Sequence, residues 1–163
     1  MHGDRFAFAG AERPAPVEAS GLAAEIVVET AERRAFIDVT PQVGERVLAA
    51  RVQTGVAHVH SCHTTTGLVL NENEPLLLQD LRRALERLSP QGMSYAHDDI
   101  ARRGCPPEEP RNGAAHCCAL LLPSSQCLPI RGGRLALGRW QSLFLVELDG
   151  PRRRTLRLTV TGR

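Results

Sequence analysis

SCHTTTGLVLNENEP, residues 61–75, places a short apolar segment between two polar groups. A histidine and three threonines precede the apolar residues, and two Asn and two Glu follow them. The apolar middle predicts a buried strand, and Pro75 marks the start of a helix. A plain strand has no need of hydrogen-bonding and metal-binding side chains at both ends. The two ends of this strand are therefore candidates for a functional site.

The residues before this stretch predict two strands and a helix. LAAEIVVET (22–30) and RRAFIDVT (33–40) are β-rich runs joined by a short polar turn, a pattern typical of a hairpin. Thr40 and Pro41 then indicate an N-cap and a first helical position, with a helix over roughly 41–53. GVAHVHSC (55–62) alternates as a strand that leads into the central stretch.

The residues after it continue the same mixture. Asn73 is the expected N-cap of a leucine-striped helix that ends at Ser89. Residues 90–112 have little periodicity, AAHCCALLL is a short apolar helix, and the rest forms strands with one Gly-Gly turn. Strands outnumber helices and come mostly as hairpins. The sequence therefore predicts one α+β domain, with a largely antiparallel sheet and two to three helices.

Composition limits the classes of partner. A chain of 163 residues with a formal charge of +2 is too near neutral to indicate nucleic-acid binding, and no apolar run is long enough to span a membrane. All 20 basic residues are arginine, so any phosphate contact must come from Arg, backbone N–H or a metal. Five scattered cysteines point to a reducing compartment, the cytoplasm. Residues 1–20 are expected to form a flexible tail before a domain over 21–163.

Histidines are the first candidates for chemistry. His63, His97 and His116 each have polar neighbours that could orient an imidazole around a metal, although separate, simply hydrogen-bonded histidines are the alternative. His58 and His60 share one strand face, either as a ligand pair or as surface residues.

Carboxylates and arginines are the second group of candidates. Glu72 follows the core strand without a capping role, which makes it an acid–base or ligand candidate. Glu147 and Asp149 precede an arginine triplet that includes Arg152. The triplet either pairs with these acids or is solvated, or else it binds an oxyanion such as phosphate.

Several motifs together resemble one known family. HTTTGLVLNEN, YAHDD, NGAAH, LPIRGGRLALGRWQ and ELDGPRRR stand in the order found in the YjbQ-like family, also called UPF0047 or secondary thiamine-phosphate synthase enzymes. The resemblance covers residues 20–162. It implies an α+β fold assembled as a homotrimer and a polar, often metal-bearing cleft at His63, His97 and His116. The matching positions also include Thr64, Thr65, Asn71, Glu72, Asn112, Trp140, Gln141, Glu147 and Arg152. The family name implies weak thiamine phosphate synthase activity. Thr66, Cys117 and Cys118 depart from the family pattern.

The resulting hypothesis is a metal-dependent enzyme for a small phosphorylated substrate or anion. A divalent metal, with zinc favoured over magnesium or another ion, would bind His63, His97 and His116. The catalytic candidates are Glu72, Asn71 and Thr64, and the candidates for binding substrate or anion are Thr65, Asn112, Arg139, Gln141 and Arg152. The rivals are a non-catalytic trimeric metal- or anion-binding module and a purely structural metal site between subunits.

Overall fold

The computed structural model describes residues 20–163, so the predicted tail lies outside the described residues, except for Ser20. The strands are β1 (Ser20–Glu29), β2 (Ala35–Asp38), β3 (Thr54–Ser61), β4 (Thr66–Asn71), β5 (Ser125–Arg131), β6 (Arg134–Leu135), β7 (Ser142–Glu147) and β8 (Arg153–Gly162). The α-helices are α1 (Thr40–Ala49), α2 (Pro75–Leu88), α3 (Ile100–Arg103) and α4 (Gly113–Ala119), with a 3₁₀ turn at Ala96–Asp98. The α+β class is confirmed, and the described chain has four α-helices where two to three were predicted.

The strands form two antiparallel sheets. One has the order β1-β8-β3-β5-β6 and the other β2-β7-β4. The predicted hairpin of β1 and β2 was wrong, because these strands lie in different sheets. β1 pairs with β8 over ten residues, from Ser20↔Gly162 to Glu29↔Arg153, while β2 pairs with β7. A local turn pattern carries no information about pairing with the far end of the chain. Here β1 forms the ten-residue pairing with β8 and no hairpin with β2.

The core lies between the two sheets and α1. Leu68 of β4, Leu143 and Leu145 of β7, and Val43 and Val47 of α1 are all fully buried. The apolar centre of residues 61–75 is thus a core strand, as predicted. This fixes the polar residues on either side of β4 at the margins of the core.

Helix starts differ from the predicted caps. Val39 is the N-cap position of α1 and makes no side-chain cap bond. Thr40 Oγ1 instead accepts a hydrogen bond from Leu143 N at 2.8 Å, so Thr40 joins the helix to β7. The helix ends at Ala49, short of the predicted residue 53, and Arg51 follows in the left-handed region with φ 58°.

Glu74, and not Asn73, caps α2. Its carboxylate accepts from Leu76 N at 2.9 Å and from Leu77 N at 2.7 Å. Asn73 Nδ2 donates to Asp38 Oδ2 at 3.0 Å. A carboxylate at this position also interacts favourably with the positive end of the helix, which explains why Glu displaces Asn.

Residues 90–112, predicted as irregular, contain the 3₁₀ turn and α3. The segment packs against the start of α4, where a Cβ on Gly113 would lie 2.5 Å from Tyr95 Cβ. Asp98 Oδ1 accepts from Gly113 N at 2.8 Å. This close approach brings His97 to the side of α4. Across residues 20–163, no helix is long and apolar enough to cross a membrane.

Candidate functional site

The site lies where β4 begins and β7 ends, at the pair Thr66↔Glu147. A cavity of about 460 Å³ opens there. Its lining includes His60, Ser61, Cys62, His63, Thr64, Thr66, His116, Ala119, Leu120 and Ser124. Below, this space is called the histidine cavity. It brings together four of the residues named as candidates from the sequence, His60, His63, His116 and Thr64. It also adds Cys62 and Ser124, for which the sequence carried no motif.

A buried ion pair lies beneath the cavity. Arg154 donates through Nε to Glu147 Oε2 at 2.6 Å and through Nη2 to Glu147 Oε1 at 2.5 Å. Thr30 Oγ1 and Asp149 N also donate to the carboxylate, at 3.0 and 2.7 Å. Burial alone would raise the pKa of Glu147, but these hydrogen bonds and the charge of Arg154 outweigh it and lower the pKa. Glu147 is therefore a fixed anion and not a proton carrier near neutral pH.

Thr65 belongs to this buried network. It is 5% exposed, and its Oγ1 accepts from Arg154 Nη2 at 3.0 Å. The structure thus places a residue predicted to bind substrate underneath the cavity, where its hydroxyl supports Arg154.

His63 follows the end of β3 and is held by the backbone of β8. Its Nε2 accepts a hydrogen bond from Thr155 N at 2.8 Å. Partial burial, and then the charge of Arg154, lower the pKa of His63, while the charge of Glu147 acts in the opposite direction. The ring is therefore neutral at neutral pH.

His97 and His116 form a close pair. Their ring centroids are 4.7 Å apart, with the rings at 62°. Burial, and then the proximity of His97, lower the pKa of His116, with Asp149 acting in the opposite direction. Arg103 Nη1 donates to His97 O at 3.1 Å, which holds the turn that carries His97. Two of the predicted ligands are thus adjacent, and one of them lines the cavity.

Asp149 gathers two of the predicted anion-binding residues. Its side chain is 1% exposed, and it accepts from Asn112 Nδ2 at 2.8 Å and from Arg152 Nη2 at 2.8 Å. Arg33 Nη2 donates to its other oxygen at 3.0 Å. Arg152 and Arg154 therefore pair with the acids that precede them, while the exposed Arg153 pairs with Glu29, as in the alternative in which the triplet is paired or solvated. Arg152 keeps part of its surface in solvent, with a side chain 39% exposed.

The remaining predicted residues lie at the other end of β4. Asn71 Oδ1 accepts from Glu72 N at 2.8 Å, and Gln141 Oε1 accepts from Gly138 N at 2.8 Å. The guanidinium of Arg139 lies 4.6 Å from the ring centroid of Trp140. Five residue steps of about 3.3 Å separate the two ends of β4, roughly 17 Å in all. Within one chain, these residues do not line the histidine cavity.

The three-imidazole metal site does not fit this arrangement of side chains. In the part of the chain that the structure describes, no group of three His, Cys, Asp or Glu side chains is placed to hold a metal ion. His97 and His116 are close enough to share an ion, but Nε2 of His63 is occupied by Thr155 N. Metal binding by this protein stays a prediction.

Comparisons with known proteins agree with the architecture. Residues 24–163 match the family described as UPF0047 protein YjbQ-like. A UPF0047 protein of Methanothermobacter thermautotrophicus is 37% identical over 139 residues, which cover 85% of this chain and 91% of that protein. One from Archaeoglobus fulgidus is 42% identical over 130 residues, which cover 80% and 94%.

Solved structures show the same fold. A YbjQ-like protein of unknown function from Sulfolobus solfataricus P2 superposes with a TM-score of 0.81 at 30% identity, covering 90% of this chain and 100% of that one. A hypothetical protein from Aeropyrum pernix K1 gives 0.78 at 32%, covering 87% and 99%. Fold and site define a small two-sheet α+β protein with a histidine-lined cavity at the sheet margin. The chain belongs to the UPF0047 YjbQ-like family.

The lowered pKa values predict how stability depends on pH. Both His63 and His116 have a pKa below the ordinary 6.5, so the unfolded chain binds more protons as the pH falls through that value. The free energy of unfolding should be highest above pH 6.5 and should decrease below it. Urea denaturation at pH values between about 8 and 5.5 measures this slope without titrating the carboxylates.

A double variant, His63→Asn with His116→Asn, should flatten the slope, while His58→Asn on the exposed face of β3 should keep it. A double variant with the wild-type slope would contradict the assignment.

Proposed function

We propose that this protein is an enzyme acting on a small phosphorylated substrate in the histidine cavity. The observation that carries the proposal is that His63 and His116 line the same cavity and that the pKa of each is lowered, so that both rings are neutral near pH 7. A neutral imidazole can accept a proton from a substrate or donate a hydrogen bond to one. The cavity volume of about 460 Å³ also suits a small molecule.

The substrate class rests on the family resemblance and on the chain's arginines. Secondary thiamine phosphate synthase activity would transfer a pyrimidine group from its diphosphate to a thiazole phosphate and release pyrophosphate. The departing pyrophosphate needs positive charge nearby. Because the chain has no lysine, that charge must come from arginine or from a metal. Arg103 acts on His116 through its charge, and Arg152 is partly exposed beside Asp149. We expect these two cations, and not the buried Arg154 that is paired with Glu147, to attract a phosphate towards His116.

A divalent ion, zinc or magnesium, is part of this proposal as a cofactor. His97 and His116 are the side chains whose spacing suits a shared ion. When bound, the ion would offset the negative charge of the phosphate. Further ligands would have to come from the substrate, from water or from another subunit.

The functional unit in this proposal is a homotrimer in which a second copy completes the cavity. Leu120 at the rim of the cavity is 85% exposed, and Leu121 beside it is 57% exposed. At the other end of β4, Trp140 is 61% exposed next to Arg139. Large apolar side chains exposed at two separate places favour a contact between copies. Such a contact would bring Glu72 and Gln141 of one copy to the histidines of the next.

We also propose a cytoplasmic location. Free cysteines, of which the chain has five, are typical of a reducing compartment.

Replacing His116 tests the enzyme and metal proposals together. In His116→Ala, turnover should fall about 10²- to 10⁴-fold because a proton-transfer group is lost. Bound metal should fall at least ~10-fold because one of the two imidazoles is gone. The assay starts with thiamine phosphate formation and then covers hydrolysis of phosphate esters, with elemental analysis of protein purified without added metal.

His58→Ala is the matched control, since this histidine lies outside the cavity lining, and both readouts should match the wild type. Equal metal content in His116→Ala and wild type would remove the ion from the proposal. Absence of any turnover by the wild type, together with tight binding of small anions, would favour the binding-module alternative.

A further inference from the structure

His63 lies where the pairing of β3 with β8 stops. The last pair is Ser61↔Leu156, and the next residue, Cys62, still donates through its N to Thr155 O at 3.2 Å. Thr155 N faces the same side and has no strand partner there. The Nε2 atom of His63 accepts from it at 2.8 Å, in the place where a carbonyl oxygen of β3 would otherwise stand. The ring therefore continues the sheet by one hydrogen bond.

This hydrogen bond decides where the proton of the ring sits. A neutral imidazole carries one proton, and the nitrogen that accepts a hydrogen bond is the one without it. With Nε2 accepting from Thr155 N, the proton is on Nδ1. Turning the ring over would place a carbon against Thr155 N and leave that partly buried N–H unpaired, which is costly. A doubly protonated ring would likewise set two donors against each other.

The hydrogen bond at Nε2 and the proton on Nδ1 also limit metal binding by His63. An ion at Nε2 would have to displace Thr155 N, and an ion at Nδ1 would have to displace the proton. Arg154 lies close enough to His63 for its charge to act on the ring, although Glu147 offsets part of that charge. Among the hydrogen bonds formed within residues 20–163, none involves Nδ1 of His63, and the residue lines the cavity, so this donor is available to a molecule there.

We propose that His63 is a fixed hydrogen-bond donor, through Nδ1–H, to an oxygen of an anionic ligand in the histidine cavity, and that it is not a metal ligand. The anionic ligand rests on the proposed function, whereas the tautomer does not. His63 is thus a substrate-binding residue whose orientation is set by the backbone of β8. Metal binding, where it occurs, is left to His97 and His116.

Histidine side-chain NMR on the ¹⁵N-labelled full chain tests the tautomer directly. The resonances are assigned to His63 by their loss in His63→Asn. At neutral pH the wild type should show a neutral ring protonated at Nδ1, and addition of zinc should leave those resonances in place. A ring protonated at Nε2, or a zinc-induced change of the His63 nitrogens to a metal-bound state, would overturn the proposal.

Two substitutions then test the donor role with inorganic phosphate as the probe. The amide of Asn reaches the Nδ1 position of histidine, and the amide of Gln reaches the Nε2 position. His63→Asn should keep phosphate affinity within a few-fold, while His63→Gln should weaken it about 10- to 100-fold, since a hydrogen bond to a charged group is lost. Both variants should retain the wild-type zinc content.

Equal phosphate affinity in the two variants, or loss of zinc from both, would overturn the proposal. Failure of the wild type to bind phosphate would also overturn the donor role. The turnover assays on His116→Ala would still decide the enzyme proposal separately.

Discussion

Glu147→Gln is expected to lower the free energy of unfolding by about 3–5 kcal/mol, because it leaves Arg154 as a buried cation without its counter-charge. The side chain of Glu147 is 0% exposed and that of Arg154 is 5% exposed, so water cannot replace the lost carboxylate. Gln is close to Glu in shape, and the packing is nearly unchanged. The decrease in the free energy of unfolding therefore measures lost charge and hydrogen bonding, and not a packing defect.

The hydrogen bonds at Glu147 explain why an amide is a poor substitute. Both carboxylate oxygens accept bonds, from Arg154, Thr30 and Asp149 N. An amide has one oxygen, so its NH₂ group would face a donor wherever it was placed. At least one buried donor would then lack an acceptor, which adds to the cost of the unpaired charge.

Glu29→Gln is the matched control for this measurement. Glu29 pairs with Arg153 at 3.6 Å on the surface, and both side chains are 71% exposed. An exposed pair of this kind contributes about 0–1 kcal/mol, so the control should unfold at nearly the wild-type urea concentration. If Glu147→Gln lost less than about 1 kcal/mol, the ion pair would not be the fixed support of the cavity that we describe.

The fold could be predicted where the signals were local. The apolar centre of residues 61–75 is the buried strand β4, and the Gly-Gly turn between β5 and β6 has φ values of 56° and 72°. The pairing of β1 with β8 could not be predicted in this way, since no local feature of residues 22–30 indicates a partner more than a hundred positions away. Glu74 as the cap of α2 was missed because Asn and Glu both suit a helix start.

The candidate site, like the fold, could be predicted from the sequence only in part. The sequence identified His63, His116 and Thr64, and the structure brings them to one cavity. Thr155 could not be identified from the sequence, because it acts through its backbone N–H, and every residue other than proline has one. Glu72 was placed with the histidines because both flank the same strand, yet a strand separates its two ends by its own length. Whether that distance is closed by another copy is a question about assembly.

Subunit mixing answers that question. Light scattering should first give three times the chain mass of 17.8 kDa. His116→Asn and Glu72→Gln, each alone, should reduce turnover by about 10²- to 10⁴-fold if each supplies one half of a shared site. In co-expressed, differently tagged mixtures, a site that joins two neighbours receives both intact halves in about a quarter of cases, so turnover should recover to about a quarter of wild type.

The control mixture is His116→Asn with His63→Gln, in which both defects lie in the same half of the proposed site. Every copy in this mixture carries one substituted histidine, so no arrangement of neighbours gives a site with both histidines intact. Turnover should therefore stay at the level of the single variants. Recovery in the first mixture and not in the second requires that Glu72 act on the histidines of another copy. Monomeric protein, or full turnover in Glu72→Gln alone, would contradict the shared site. Glu72 would then be a residue at the end of a strand, and the histidine cavity would have to act with the side chains of a single chain.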